Sequence, residues 1–315
     1  MDIIKNKNFI TNFNKNRILK LVWRDKYLLL MFIPFLTYYV IFNYVPMAGL
    51  VIAFKDFKPG QGLYYGEWVG FKWILQFFNS FYFLRLVRNT VLISTYSLLF
   101  GFPVPIIFAI CITEIHNMRL RRVVQTASYL PYFISTVVMV GILYTFFSSD
   151  FGIINQFVTM TGRKPINFLN DPAWFRRLFV GSGIWQGFGF SSIIYIAAIT
   201  GIDPTFYEAA KMDGITKFKE VIYITIPMIS STIIVLFIMA LGGLMSVGFE
   251  KAFLLQNSAT METGDVINTY VYRKGIMENS VSFASAVGLF NSIINFTLVF
   301  IVNKICRALT QTSLW

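Results

Sequence analysis

Few residues in this chain are of the types that carry out covalent chemistry. There is one histidine, His116, and there are two cysteines, Cys111 and Cys306. A lone histidine with no cysteines beside it does not assemble a zinc site. Both cysteines lie near the ends of apolar runs, where they read as small packing residues, and a disulfide is not expected in a reducing compartment. No G-x4-G-K-[ST] loop is present to cradle a nucleotide phosphate, and no H-E-x-x-H pair to hold a catalytic metal. Gly187 and Gly189 lack the third glycine of a dinucleotide fingerprint. The sequence implies a chain with no catalytic residues, no metal and no cofactor of its own.

Polar residues with a definite spacing occur instead at Tyr207–Pro227, YEAAKMDGITKFKEVIYITIP. Asp203 is a good N-cap, and Pro204 suits the first helical position because its missing N–H would have no partner there. Gly214 suits a left-handed C-terminal cap. A helix of about three turns is therefore predicted, closed at both ends. Thr216 can cap a second helix, which runs to Pro227. Ala209 and Ala210 give the first helix a low profile, with Glu208 and Asp213 beside it. Such a helix can lie in a partner's groove, or it can be a plain loop with a helical turn.

The elements that must hold this segment are membrane spans. The chain is 56% hydrophobic and 13% charged, with mean hydropathy +0.62 and 34 Phe, whereas a soluble domain carries about 25% charged residues. A helix needs about 20 uncharged residues to cross about 30 Å of hydrocarbon. Six windows qualify: Tyr27–Phe54, Asn89–Thr113, Val123–Ser149, Leu178–Ile202, Val221–Phe249 and Asn279–Asn303. The predicted fold is all-α and polytopic, with six transmembrane helices. A barrel would show short alternating segments, and none are present. The chain divides into an arm, 1–26, and a single membrane domain, 27–315, that includes the polar segment 203–227. The basic arm and the Arg119, Arg121 and Arg122 loop place both termini and the polar segment in the cytosol. The mixed aromatic stretch WVGFKWILQFF in the outer loop 55–82 is expected to form an interfacial helix. Small residues at helix-contact spacing, Ala284 with Gly288 and Gly242, Gly243 and Gly248, read as packing points. The net charge of +12 flanks the spans, where it meets lipid headgroups, and no basic aromatic patch points to nucleic acid.

The spacing Glu208-Ala209-Ala210, three residues, Gly214, nine residues, Ile224-x-Ile226-Pro227 resembles the EAA motif of ABC importer permeases, with Ile226 in place of Leu. IFNYVPMAGLVIAFKDF, RNTVLISTYSLLFGFPVPIIFAI, QTASYLPYFIS, INTYVYRKGI and the terminal Leu314-Trp315 are similar to the LplB-type permeases of oligosaccharide and polysaccharide importers. The resemblance implies a type I importer permease in the bacterial cell membrane. It implies a second, homologous permease chain, a cytosolic ATPase dimer that binds ATP and magnesium, and an extracellular substrate-binding lipoprotein. Tyr207, Glu208, Ala209, Ala210, Asp213, Gly214 and Pro227 would form the segment that couples to the ATPase. WQGFGF at Trp185–Phe190 departs from the pattern of these relatives and falls in the fourth span.

Sugars stack on aromatic faces and bond to amides. Candidates for the substrate path are therefore Asn89, Trp185, Gln186, Ser191, Ser192, Tyr195, Asn291 and Asn295, each with an interhelical hydrogen bond as the alternative. Arg85, Arg88, Arg176 and Arg177 could draw in acidic sugars or meet headgroups. An ion-coupled secondary transporter of sugars is the competing class. It needs ionisable groups within its spans, and the six windows have none.

Overall fold

The structure, a computed structural model, describes residues 23–310 apart from positions 59, 61, 63 and 64. Most of the basic arm and the terminal Leu314-Trp315 lie outside the described residues. Helix dominates because backbone groups in an apolar surrounding must satisfy one another. In chain order, α1 (Lys26–Phe54) leads into a two-stranded antiparallel hairpin, β1 (Lys55–Asp56) with β2 (Glu67–Trp68), and then α2 (Lys72–Phe78). Next come α3 (Phe83–Thr113), α4 (Met118–Phe133), α5 (Thr136–Phe147), α6 (Ile153–Met160) and α7 (Pro172–Thr200). The polar segment forms α8 (Pro204–Met212) and α9 (Lys217–Met228), and α10 (Ser230–Gly242) follows. Short helices α11 (Phe249–Leu255), α12 (Met261–Gly264) and α13 (Ile267–Tyr272) precede the last helix, α14 (Val281–Thr310).

Four helices, α1, α3, α7 and α14, are each long and apolar enough to cross a membrane; two bent pairs, α4 with α5 and α9 with α10, raise the number to six if each pair counts as one crossing. The third window, expected as one span, is turned by 101° between α4 and α5. Pro131 begins a tight turn, Ile134 and Ser135 are extended, and the Ser135 hydroxyl accepts the Val138 N–H to start α5. α5 alone rises about 18 Å, short of the about 30 Å of hydrocarbon, and α4 meets it at an angle instead of extending it straight. The fifth window also differs. α9 and α10 meet at 66°, helix stops at Gly242, and 243–248 is irregular backbone. Such backbone is tolerated at membrane depth only where protein supplies its hydrogen bonds. Here the Met245 N–H donates to Asn295 Oδ1 at 2.9 Å and the Val247 carbonyl accepts from Asn268 Nδ2 at 2.9 Å.

α7 is the central helix. It packs along the Pro103–Thr113 half of α3 around Ala109, Ile112, Tyr195, Ile196 and Ile199. Its WQGFGF stretch grips the corner between α4 and α5. Gly189 lies so close to α4 that a Cβ there would sit 2.1 Å from the Ser128 carbonyl oxygen. Gln186 Nε2 donates to the Ile134 carbonyl at 2.7 Å, and Phe190 stacks on Tyr132 with centroids 4.0 Å apart. The predicted interfacial helix is α2, and it docks inward through Phe77, fully buried against Phe83, Tyr270, Phe283 and Phe290. Of the small residues, Gly242 meets Val299 and Ala284 packs at Gly275, whereas Gly288 faces open space.

Candidate functional site

α8 is closed by its own local chemistry. The Asp203 side chain accepts the Thr205 N–H at 2.9 Å, Pro204 opens the helix, and Gly214 takes φ +71°. That hydrogen bond holds the Asp203 carboxyl below its ordinary range. Gly214 N–H donates to the Lys211 carbonyl and Ile215 N–H to the Ala210 carbonyl, both at 3.1 Å. These two bonds are the Schellman pattern, so the turn into α9 is fixed by backbone. Thr216 takes the N-cap position of α9, with its carbonyl accepting the Glu220 N–H but no cap bond from its side chain.

Around this elbow, Ala210 is buried, while Glu208, Ala209, Asp213 and Pro227 are exposed. The Glu208 carboxylate makes no hydrogen bond or ion pair among the described residues. Tyr207 is half-buried, and its hydroxyl shares a hydrogen bond with Thr225 Oγ1 at 3.2 Å. A cavity of about 360 Å³ lies between the elbow and the end of α3, lined among others by Glu114, Arg121, Tyr207 and Lys217. Lys217 Nζ bridges Glu114 at 3.1 Å and the buried Glu220 at 2.8 Å. The role of Lys217 was not legible in the sequence, where it is one lysine among several.

The opposite ends of α3 and α7 meet in a buried polar knot. Asp265, fully buried, receives Arg273 at 2.7 Å, Arg85 at 3.3 Å and the Thr269 hydroxyl at 2.9 Å. Asn89, also buried, donates to the Glu262 and Asp265 carbonyls and accepts from Arg176 Nη2 at 2.8 Å. Arg85 Nε and Arg176 Nε are buried without partners. Two guanidiniums on one carboxylate, with a third alongside, leave this end positively charged. No local pattern marks Asp265, which reaches Arg85 across 180 residues.

The eight path candidates do not come together. Asn89 belongs to the knot. Asn291 and Asn295 lie along α14, where Asn295 Nδ2 donates to Ser246 Oγ and Asn291 Nδ2 to Asn268 Oδ1. They brace the irregular 243–248 stretch, and Asn291 Oδ1 is left buried and unpartnered. The other five lie on α7. Gln186 holds the α4–α5 corner, Ser192 Oγ donates to the Gly189 carbonyl, and Tyr195 is in the core. Trp185 and Ser191 are exposed.

The family model described as binding-protein-dependent transport system inner membrane component matches residues 101–311, more than half of the chain. The chain belongs to that family. This permease is similar over nearly its full length to two Bacillus subtilis (strain 168) proteins. Protein LplB is 41% identical over 93% of this chain and 92% of its own. The polygalacturonan/rhamnogalacturonan transport system permease protein YteP is 38% identical over 96% of this chain and 94% of its own. Among solved structures, a chain of a bacterial ABC transporter involved in the import of the acidic polysaccharide alginate superposes with TM-score 0.87 at 40% identity, over 93% of this chain and 99% of that one. A chain of the bacterial alginate ABC transporter in complex with an alginate pentasaccharide-bound periplasmic protein gives 0.88 at 40% identity, over 95% and 100%. The permease is thus an integral protein of the bacterial inner membrane with the fold of a type I ABC importer permease. The ABC-importer reading of the EAA spacing holds, and these relatives do not favour an ion-coupled transporter.

Proposed function

We propose that this chain is one of two permease subunits in an ATP-driven importer of oligosaccharides or polysaccharide fragments. A second, homologous permease completes the path. A separate cytosolic ATPase dimer binds ATP and magnesium and docks on α8, and an extracellular lipoprotein delivers the sugar. Both termini then lie in the cytosol with α8. The observation that carries the reading is the elbow. α8 is rigidly capped, presents an exposed and unpartnered Glu208 beside exposed Ala209, and continues directly from α7 through three residues, 201–203. A helix anchored in this way transmits a push instead of absorbing it.

The substrate we infer is acidic. The opposite face carries Arg85, Arg88, Arg176 and Arg177 with Asp265 as the one buried carboxylate among them. The similar chains belong to a polygalacturonan/rhamnogalacturonan transport system and to an importer of the acidic polysaccharide alginate. Trp185 and Ser191 are the path candidates whose side chains stay open to meet a sugar.

The test is reconstitution in proteoliposomes with the partner permease, the ATPase and the binding protein, offered oligogalacturonate or alginate pentasaccharide. ATPase activity should rise with loaded binding protein and collapse in Glu208→Arg, which sets the wrong charge at the docking cleft. Stimulation that survives Glu208→Arg would refute α8 as the point where energy enters.

A further inference from the structure

The elbow touches more of the permease than the two helices it joins. α8 follows α7 covalently, and Tyr207 ties α8 to α9 at Thr225. The backbone bonds from Gly214 to Lys211 and from Ile215 to Ala210 make 213–216 a stiff corner, so the start of α9 must move with α8. Lys217 is the first residue of α9. Its ammonium reaches out of the elbow to Glu114, the residue that caps the end of α3. Its other partner, Glu220, is 3% exposed and bonded at 2.8 Å. A buried carboxylate of this kind holds the lysine in one orientation, because losing it would strand an unpaired charge. Arg121, His116 and Lys211 line the same cavity, but no contact from them to Glu114 or Glu220 is seen among the described residues.

We propose that Lys217 is a positioning residue that links the coupling elbow to α3. Displacement of α8 then reaches three crossings together: α7 by the chain, α9 with α10 by Tyr207, and α3 by Lys217. α3 also carries Arg85 and Asn89 at its far end, so the link joins the ATPase side to the knot through one helix. The Lys217–Glu114 pair is half-exposed, with side chains 59% and 42% accessible. Exposed pairs contribute little to folding. Loss of this one should therefore leave the protein assembled and appear as uncoupling. The inference rests on the importer reading above.

The experiment is the same four-component complex in proteoliposomes, scored by the ratio of ATPase activity with loaded binding protein to activity without it. Oligogalacturonate and alginate pentasaccharide are the probes. Lys217→Met and Glu114→Gln should each lower the ratio about five-fold, which is about 1 kcal/mol at 1.4 kcal/mol per decade. The double variant should fall no further, and Lys217→Arg should restore the ratio. Glu114→Gln keeps the buried Lys217–Glu220 pair, so it decides the matter if Lys217→Met does not assemble. A ratio within two-fold of wild type in an intact Glu114→Gln complex overturns the link to α3. A wild-type complex that ignores loaded binding protein overturns the importer reading instead.

Discussion

The two ends of α3 and α7 are built on opposite principles. At the α8 end, the structure is held by neighbours in sequence: Asp203 with Thr205, Gly214 with Lys211, Ile215 with Ala210. The carboxylates of α8 and its C-cap, Glu208 and Asp213, face outward. At the other end, Asp265, Arg85, Arg273, Asn89 and Arg176 come from three separate stretches and are turned inward. Local closure suits a surface that must stay rigid while a partner comes and goes. Non-local closure suits a part whose integrity depends on the bundle being assembled. Changes at the knot should therefore appear in stability, and changes at the elbow in coupling.

The largest expected effect is Asp265→Asn. It removes the only acidic partner of Arg85 and Arg273 among the described residues, and breaking a buried pair in this way costs about 3–5 kcal/mol. Thermal melting in detergent should drop by many degrees. A melt like that of wild type would break the comparison. Second is Lys251, partly buried, which donates to the Phe179 carbonyl and whose pKa burial lowers from 10.5 to about 8. The folded state disfavours the charged form, so the unfolded chain binds more protons between those values and stability should rise with pH from about 8 to 10.5, on the order of 3 kcal/mol. The rise should vanish in Lys251→Met, as melts at pH 7.5 and 10 would reveal.

Asn89→Leu should cost about 1–3 kcal/mol, because the Glu262 and Asp265 carbonyls and an Arg176 N–H lose their partner. Gly214→Val strains a left-handed position by about 1–2 kcal/mol. Its melt should shift little, while stimulation by the binding protein falls sharply. A large melt shift with normal stimulation would erase the distinction between the two ends. The smallest effect is at Asp203, whose carboxyl sits below its ordinary value. Its capping contribution is complete above the unfolded pKa and is lost as pH falls through the lowered one. Amide protection in α8, taken relative to the intrinsic exchange rate at each pH, should fall in acid, and Asp203→Asn, which can still cap, should abolish that fall.

How much could be read in advance follows the same division. The α8 helix was legible from Asp203, Pro204 and Gly214 because a cap is a bond between residues two or three apart. Four of the six windows appear as single helices because length and the absence of charge are enough to require them. The third and fifth windows were read as unbroken. The corner at Ile134 and Ser135 depends on Gln186 reaching across 52 residues, and the break after Gly242 depends on Asn295 reaching 50 back. Nothing local announces either contact.

The sequence by itself determined that this chain lives in a membrane, which stretches are long and apolar enough to enter it, where the polar segment interrupts them and how that segment is capped. These follow from hydropathy and from bonds between near neighbours. Only the tertiary structure decided that Asn89, Asn291 and Asn295 bond helices and bare backbone together, that Asp265 holds two arginines, and that Lys217 reaches Glu114. The reason is physical. A buried polar group must find its partner wherever the packing of α3, α7 and α14 happens to place one, and that choice is made in three dimensions.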